Sequence, residues 1–159
     1  MAIDSFLKLG DLKGESQVKG FEDQIQLLAW SWGLSQSGTT HIGSGGGAGK
    51  VNVQDLSFTH YVDSASPSLI LACCKGNHYK EATIVMRKAG GDPLPYLTIK
   101  LTDLIVTSVS GGSSGGEDHQ TENVTLNFSA FEYSYQPQDN KGAKKGGAIA
   151  VKYDIAKNA

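Results

Sequence analysis

The chain has 159 residues, of which 39% are hydrophobic, and this is enough material for a single core, so we treat residues 1–159 as one domain. Its formal net charge is −2, so the chain lacks the positive electrostatic field that binds nucleic acid or an anionic membrane surface. We therefore expect no nucleic-acid partner. No apolar run approaches the ~20 residues of a membrane-spanning helix, and we expect no membrane insertion.

The N-terminal sequence MAIDSFLKLGD lacks the basic stretch and following apolar run of a secretory signal. We therefore expect the protein to be made and folded in the cytosol. The 20 glycines cluster between segments of apolar periodicity, which is typical of loops that separate regular elements.

The first periodic segment spans residues 24–35 and predicts one strand with two different faces. The bulky face, which we expect to be buried, comprises Leu28, Trp30, Trp32 and Leu34. The opposite face is small and uncharged and comprises Ala29, Ser31, Gly33 and Ser35. An ordinary solvent-exposed face would include Lys, Glu or Arg, so this surface suits contact with something large that packs against it or slides past.

Residues 41–52, HIGSGGGAGKVN, resemble a phosphate-binding loop only in part. Ser44 stands where the first glycine belongs, and Val51 stands where the magnesium-binding hydroxyl belongs. A phosphate-binding loop also opens a helix, whereas the sequence that follows alternates with the period of a strand. We interpret the segment as a long loop between two strands, and contact with a partner would explain its length.

A short helix is predicted within SASPSLILACCKGN, with Ser66 as N-cap, Pro67 at the first helical position and Gly76 as the stop. Apolar residues recur there at helical spacing, namely Leu69, Ile70, Ala72 and Cys73. The adjacent Cys73 and Cys74 match no zinc or redox spacing and could bridge only through a strained ring. We expect free thiols that are buried or half-buried.

The remaining alternating segments predict strands over residues 81–88, 96–109, 122–135 and 148–155, with a turn at Gly90–Pro93. Asp103 interrupts the second of these segments, after which Ile105, Thr107 and Val109 continue the period. The third shifts phase between Phe128 and Phe131, as a bulge would. Long strands with one helix predict a mainly β fold, a closed or nearly closed single-domain barrel, because long open edges invite aggregation.

No group of residues with catalytic spacing is found. The histidines, His41, His60, His78 and His119, are scattered without metal-ligand spacing, and we interpret them as surface or packing residues. Residues 112–116 match the Gly-x-Ser-x-Gly pattern around Ser114, but they lead into a strand rather than a helix. We interpret Glu117 and Asp118 as residues of an exposed loop. We predict no enzyme activity, no cofactor and no metal, and a function that resides in surfaces.

Five segments together resemble the haemolysin-coregulated protein (Hcp) family of bacterial type VI secretion. They are LAWSWG at 28–33, GGGAGKVNVQDL at 45–56, RKAGG at 87–91, GGED at 115–118 and TENVTLNF at 121–128. The resemblance implies a barrel related to phage tail tube proteins, with one flanking helix. It further implies a homo-hexameric ring that stacks into a hollow tube, inside a contractile sheath and behind a spike protein. The tube would carry effector proteins and leave the bacterial cytoplasm through the apparatus, without a signal peptide.

On this resemblance, Ala29, Ser31, Gly33 and Ser35 would line the lumen and bind effectors, while Trp30 and Trp32 anchor the barrel core behind them. The glycine-rich loop would stack one ring on the next through Gly45, Gly46, Gly47, Ala48, Gly49 and Lys50. Two alternatives remain open from the residues: a tail tube protein of a phage or other contractile injection machine, and a monomeric barrel that binds a hydrophobic ligand.

Overall fold

The computed structural model describes residues 3–38, 49–88 and 93–159. These residues form nine strands and one helix: β1 Ile3–Leu9, β2 Ile25–Ser31, β3 Leu34–Ser35, β4 Asn52–Val53, β5 Leu56–Tyr61, α1 Ser66–Lys75, β6 His78–Lys88, β7 Pro95–Gly112, β8 Thr121–Tyr135 and β9 Ile149–Asp154. Most of the predicted glycine-rich loop, and the predicted turn except for Pro93, lie outside the described residues. No helix in the described part of the chain is long and apolar enough to cross a bilayer.

Six antiparallel strands close into a barrel in the order β5-β2-β1-β6-β7-β8, because β5 also pairs with β8. β8 pairs with β5 through residues 121–126 and with β9 through residues 130–135. Fully buried side chains such as Leu7, Ile84 and Leu104 fill the interior. The predicted mainly β barrel with one short flanking helix is therefore confirmed.

The prediction of a single strand over residues 24–35 with Leu28 on the buried face is wrong. β2 ends at Ser31, and a β-bulge in its pairing with β5 falls between Leu27 and Ala29. The extra residue directs Leu27 into the core and Leu28 outward, where 49% of Leu28 is exposed.

The predicted burial of Leu34 is also wrong, because it lies in the separate β3–β4 ribbon and is 47% exposed. Trp30 and Trp32 do pack against the barrel core as half-buried side chains. The ring of Trp32 meets the ring of Phe131 edge-on, with 4.8 Å between centroids. Both tryptophans therefore lie at the edge of the core and extend it.

The side of β7 that faces the core changes at Asp103, whose φ is +52°. Because of this local backbone conformation, the side chains on either side of Asp103 no longer alternate regularly. Leu101 and Leu104 are both buried, on either side of this residue. The predicted continuation of the buried face is therefore wrong for Ile105, which is half-buried, and for Thr107, which is exposed. Val109 does pack against the core as a half-buried side chain opposite Val124, after the register shift that follows Val106.

The side of β8 that faces the core also changes, opposite the same part of β7, between the buried Phe128 and Phe131. This phase shift was predicted, but the bulge proposed to cause it is not found there. Leu104 lies opposite Phe128 and Leu101 opposite Phe131, so the two strands reverse together and keep their register. The register shift between them falls instead near Val106 in β7.

Helix α1 begins one residue earlier than predicted. Ala65 is the N-cap, and Ser66 is the first helical residue. The Ser66 hydroxyl accepts a hydrogen bond from the backbone N–H of Asp63 at 3.1 Å. Gly76 ends the helix as predicted, with a φ of +64° that favours glycine. Of the two free cysteines, Cys73 is half-buried and Cys74, contrary to expectation, is exposed.

A second, smaller aromatic cluster lies on the other face of β1 from the barrel core. Phe6 is fully buried there and stacks on Phe21 with 4.4 Å between ring centroids. The guanidinium of Arg87 lies 5.6 Å from the Phe6 centroid and 5.1 Å from the Phe21 centroid. The segment between β1 and β2 therefore covers the outside of the barrel and adds buried apolar surface.

Candidate functional site

Four neighbouring strands, in the order β2-β5-β8-β7, carry short uncharged side chains on the surface that points away from the core. The strand register aligns these side chains in two rows across the strands. One row comprises Ser31, Ser57, Thr125 and Ser108, and the other comprises Ala29, Thr59, Asn123 and Ser110. We call these eight residues the hydroxyl face.

Hydrogen bonds between neighbouring strands link members of the hydroxyl face. The hydroxyl oxygens of Ser57 and Thr125 lie 3.4 Å apart, and the Thr59 hydroxyl donates to the Asn123 amide oxygen at 2.5 Å. Between the two rows, the intervening residues point inward and belong to the core, for example Phe58 and Val124. The core thus fixes the positions from which the hydroxyl and amide groups project.

The hydroxyl face can form neutral hydrogen bonds but no ion pairs. A neutral hydrogen bond contributes only about 0.5–1.5 kcal/mol net, because water competes for the same groups. The nearby carboxylate of Asp55 already accepts a hydrogen bond from the Asn127 amide at 2.8 Å. A large partner could therefore touch many points of this surface without being held strongly at any one of them.

The structure brings only two of the four predicted lumen residues into the hydroxyl face. Ala29 and Ser31 lie on β2, whereas Gly33 follows the end of β2 and Ser35 lies in β3. β3 pairs with β4 in a separate two-stranded sheet, so the four residues do not share one strand. The six other members were not found in the sequence, although hydroxyl and amide residues alternate with apolar ones along both SFT at 57–59 and NVTL at 123–126.

Of the predicted stacking loop, residues 45–48 lie outside the described residues. The described end of this loop consists of Gly49 and Lys50, which are exposed and lead into β4.

A buried histidine lies one residue beyond Thr59 on β5. His60 is fully buried, and its Nε2 lies 2.7 Å from Oε1 of Glu122 on β8. Its Nδ1 lies 3.5 Å from Oδ2 of Asp63, an ion-pair distance without hydrogen-bond geometry. Burial opposes the charged form, but Asp63 and then Glu122 outweigh burial and raise the pKa of His60 above its ordinary value. These three side chains therefore link β5, β8 and the segment just before α1 electrostatically.

The interpretation of His60 as a surface or packing residue missed this ion pair. Residues 60 and 122 meet only through the register of β5 with β8, so no local spacing could reveal their contact. Because His60 has no exposed surface, a substrate cannot reach it, and we assign it a structural role.

The remaining candidates for chemistry lie in exposed positions. Ser114 belongs to a turn in which the backbone N–H of Glu117 donates to the Ser114 carbonyl at 3.2 Å, rather than to a strand-to-helix elbow. Across residues 3–38, 49–88 and 93–159, no group of three or more His, Cys, Asp or Glu side chains could hold a metal ion.

The described residues define a mainly β barrel protein with a packed interior, and comparison with known proteins identifies the family. The family model described as "Type VI secretion system effector, Hcp" matches residues 6–135. Protein hcp1 of Pseudomonas aeruginosa is 55% identical over 159 residues, which cover 99% of this chain and 98% of that protein. The chain therefore belongs to the Hcp family and is a type VI secretion tube protein.

Solved structures agree with this assignment. Hcp1 from Salmonella typhimurium is 42% identical with a TM-score of 0.82, over 99% of this chain and 98% of that one. A further type six secretion system protein has a TM-score of 0.93 at 27% identity, over 99% of each chain. The resemblance found in the sequence is thus confirmed over nearly the whole chain.

Proposed function

We propose that residues 1–159 form one building block of a hollow tube. Six copies close into a ring, rings stack into the tube, and the hydroxyl face lines the lumen. The tube leaves the bacterial cytoplasm through the type VI apparatus, surrounded by a contractile sheath and led by a spike protein, with effector proteins inside. The observation that supports this proposal best is the uncharged polar surface that extends over four strands.

A wall of neutral hydroxyl groups suits a cargo that must be retained and later released. Each contact is weak, yet identical contacts repeated around a ring add up to useful retention through multivalency. Strong ion pairs would instead favour effectors of one charge and slow their exit.

The alternative of a monomeric ligand-binding barrel requires space inside the barrel. That interior is occupied by fully buried side chains, among them Leu9, Leu56 and Ile99. Assembly around an external lumen therefore accounts better for a barrel that is filled.

Ser31→Lys should weaken effector retention at least tenfold, which corresponds to about 1.4 kcal/mol, while rings still form. A long charged side chain would project from the exposed Ser31 position toward the cargo and displace the neutral contacts. Pull-down of a co-expressed effector on purified rings measures retention, and size-exclusion chromatography measures ring formation.

Ser68→Lys is the matched control, since Ser68 is an exposed serine on α1, away from the hydroxyl face. It should retain the effector as the unaltered protein does. Equal retention by Ser31→Lys and Ser68→Lys would show that the hydroxyl face does not contact cargo.

We also propose that the loop from Gly45 to Lys50 contacts the adjacent ring in the stack. Glycine tolerates backbone conformations that other residues resist, so such a segment can adapt to a neighbouring surface. Ordering it on assembly costs about 1–2 kcal/mol per residue, so stacking through it needs many copies acting together.

Deletion of Gly45–Gly47 should abolish tube growth and spare ring formation, because it shortens the stacking loop without touching the described strands. Negative-stain electron microscopy at high protein concentration counts tubes, and native mass spectrometry counts subunits per ring. Tubes of normal length from the deletion variant would rule out this role for the loop.

A further inference from the structure

The hydroxyl face changes character at one end, beyond the row that contains Thr59. Two residues further along β5, Tyr61 projects on the same side of the sheet as Thr59, because side chains alternate along a strand. Leu28 also points outward at this end, since the bulge in β2 inserts it between Leu27 and Ala29. Leu28 is 49% exposed and Tyr61 is 46% exposed. A surface of short hydroxyl side chains therefore ends in two large apolar ones.

Two adjoining cavities of about 330 Å³ and 340 Å³ open at this end of the sheet. Leu28, Tyr61 and His119 line both of them, and we call these three residues and the space around them the end pocket. The ring centroids of Tyr61 and His119 lie 5.0 Å apart. Cavities of this size, with apolar and aromatic walls, are typical of sites that bind a ligand group. Each cavity has room for one large apolar side chain.

The exposure of Leu28 is not a by-product of core packing. Within the described part of the chain, Leu28 belongs neither to the core nor to the residues packed against it. Bulges commonly re-aim a side chain next to a functional site. The extra residue in β2 therefore supplies an apolar wall to the end pocket without filling any space in the barrel.

Carboxylates border the end pocket on both sides. Glu15 and Asp63 line one cavity, and Glu117 and Asp118 line the other. Glu15 and Asp63 already accept backbone hydrogen bonds, whereas Glu117 and Asp118 lie in the exposed turn between β7 and β8. Among the described residues, no Lys or Arg lines either cavity. The end pocket therefore combines apolar walls with a negative border, next to a surface that is otherwise uncharged.

We propose that the end pocket binds a short segment of the cargo protein in which an aromatic or large aliphatic side chain lies next to Lys or Arg. The apolar side chain enters between Leu28 and Tyr61, and the flanking cation faces Glu117 and Asp118. Exposed charges add little to affinity, but they disfavour a segment of the same sign. This inference rests on the proposed function and adds a chemical preference to it. The hydroxyl face contacts any cargo weakly, whereas the end pocket selects one kind of segment.

The peptide Gly-Lys-Phe-Lys-Gly, with a fluorine atom on its phenylalanine ring, is the probe for the end pocket. Fluorine NMR reports burial of that ring as the peptide is titrated with the protein. Leu28→Ser should weaken binding at least about tenfold, because it removes an apolar wall. Glu117→Gln with Asp118→Asn should weaken binding of this peptide and reduce its sensitivity to salt, since salt screens only the charged contacts. The fluorinated peptide Gly-Glu-Phe-Glu-Gly should bind the unaltered protein more weakly.

Ile70→Ser is the matched control for Leu28→Ser, because Ile70 is also 49% exposed but lies on α1 and lines neither cavity. Glu22→Gln with Asp23→Asn is the control for the charge variant, since it neutralises two consecutive exposed carboxylates that also line neither cavity. Both controls should bind the lysine peptide as the unaltered protein does. Circular dichroism should show the same fold in all variants, because every altered residue is exposed.

Equal binding by Leu28→Ser and Ile70→Ser, or equal binding of the two peptides by the unaltered protein, would overturn the inference. Loss of tube growth in Leu28→Ser with unchanged peptide binding would assign the end pocket to a neighbouring ring and would also overturn it. Native mass spectrometry of the same samples separates these results from the proposed function. An unaltered protein that stays at 16.8 kDa would refute the ring, whereas a ring that does not distinguish the two peptides would refute the end pocket alone.

Discussion

Replacing His60 with alanine should lower the free energy of unfolding by about 3–5 kcal/mol, because it leaves Glu122 buried without its counter-charge. The carboxylate of Glu122 lies 2.7 Å from the His60 ring nitrogen and is itself almost fully buried. Urea unfolding followed by circular dichroism measures the change. All variants are compared at one protein concentration, because assembly adds to apparent stability.

His78→Ala is the matched control, because His78 forms a similar contact with Asp103 at 3.2 Å but on the surface. Its loss should change the free energy of unfolding by less than about 1 kcal/mol. Similar losses for His60→Ala and His78→Ala would mean that the buried ion pair does not stabilise the fold as we expect.

The effect of His60 should depend on pH in a defined direction. The pKa of His60 is raised by Asp63 and Glu122 against the opposing effect of burial. The stabilisation by the charged histidine is therefore complete below the pKa of the unfolded chain and is lost as pH rises through the folded-state pKa. The gap in unfolding free energy between the unaltered protein and His60→Ala should be wider at about pH 6 than at about pH 9.

Phe6→Ala should destabilise the protein by about 3–5 kcal/mol, as expected when a fully buried aromatic ring is removed and a cavity remains. The change removes the ring that stacks on Phe21, and it removes one of the two rings that contact the Arg87 guanidinium. Thermal and urea unfolding measure the loss. The result tests whether the segment between β1 and β2 contributes a second buried layer to the stability of the barrel.

Tyr135→Ala provides the comparison, since this aromatic side chain is 45% exposed at the end of β8. Its removal should cost less than about 1 kcal/mol, because most surface substitutions have small effects. A loss for Phe6→Ala no larger than that for Tyr135→Ala would mean that the outer layer collapses around the cavity.

The barrel could be predicted from sequence because period-two alternation is a local property of each strand. The bulge at Leu28 could not, since Leu27 and Leu28 are both leucines and neither looks more suited to the core. The phase shift of β8 was predicted, but the matching reversal of β7 near Asp103 was not, because the pattern of each strand alone does not show that the two strands change face together.

The candidate site was predictable only where the small uncharged residues follow one another along a single strand. Ala29 and Ser31 were found because they are small residues in a segment of large ones. Their neighbours Ser57, Thr125 and Ser108 became part of the same surface only through the register of three strand pairs. The contact of His60 with Glu122 has the same origin, since strand register and not sequence spacing brings them together.

The division of β8 between two partners has a mechanical consequence. β8 is one continuous strand whose first half pairs with β5 and whose second half pairs with β9, with β7 alongside both halves. A load applied to β9 along the strand direction therefore acts on the β8–β9 hydrogen bonds in shear, so that the whole ladder bears it at once. All six residue pairs between β8 and β9 would have to separate together before such a load could slide β9 off the barrel.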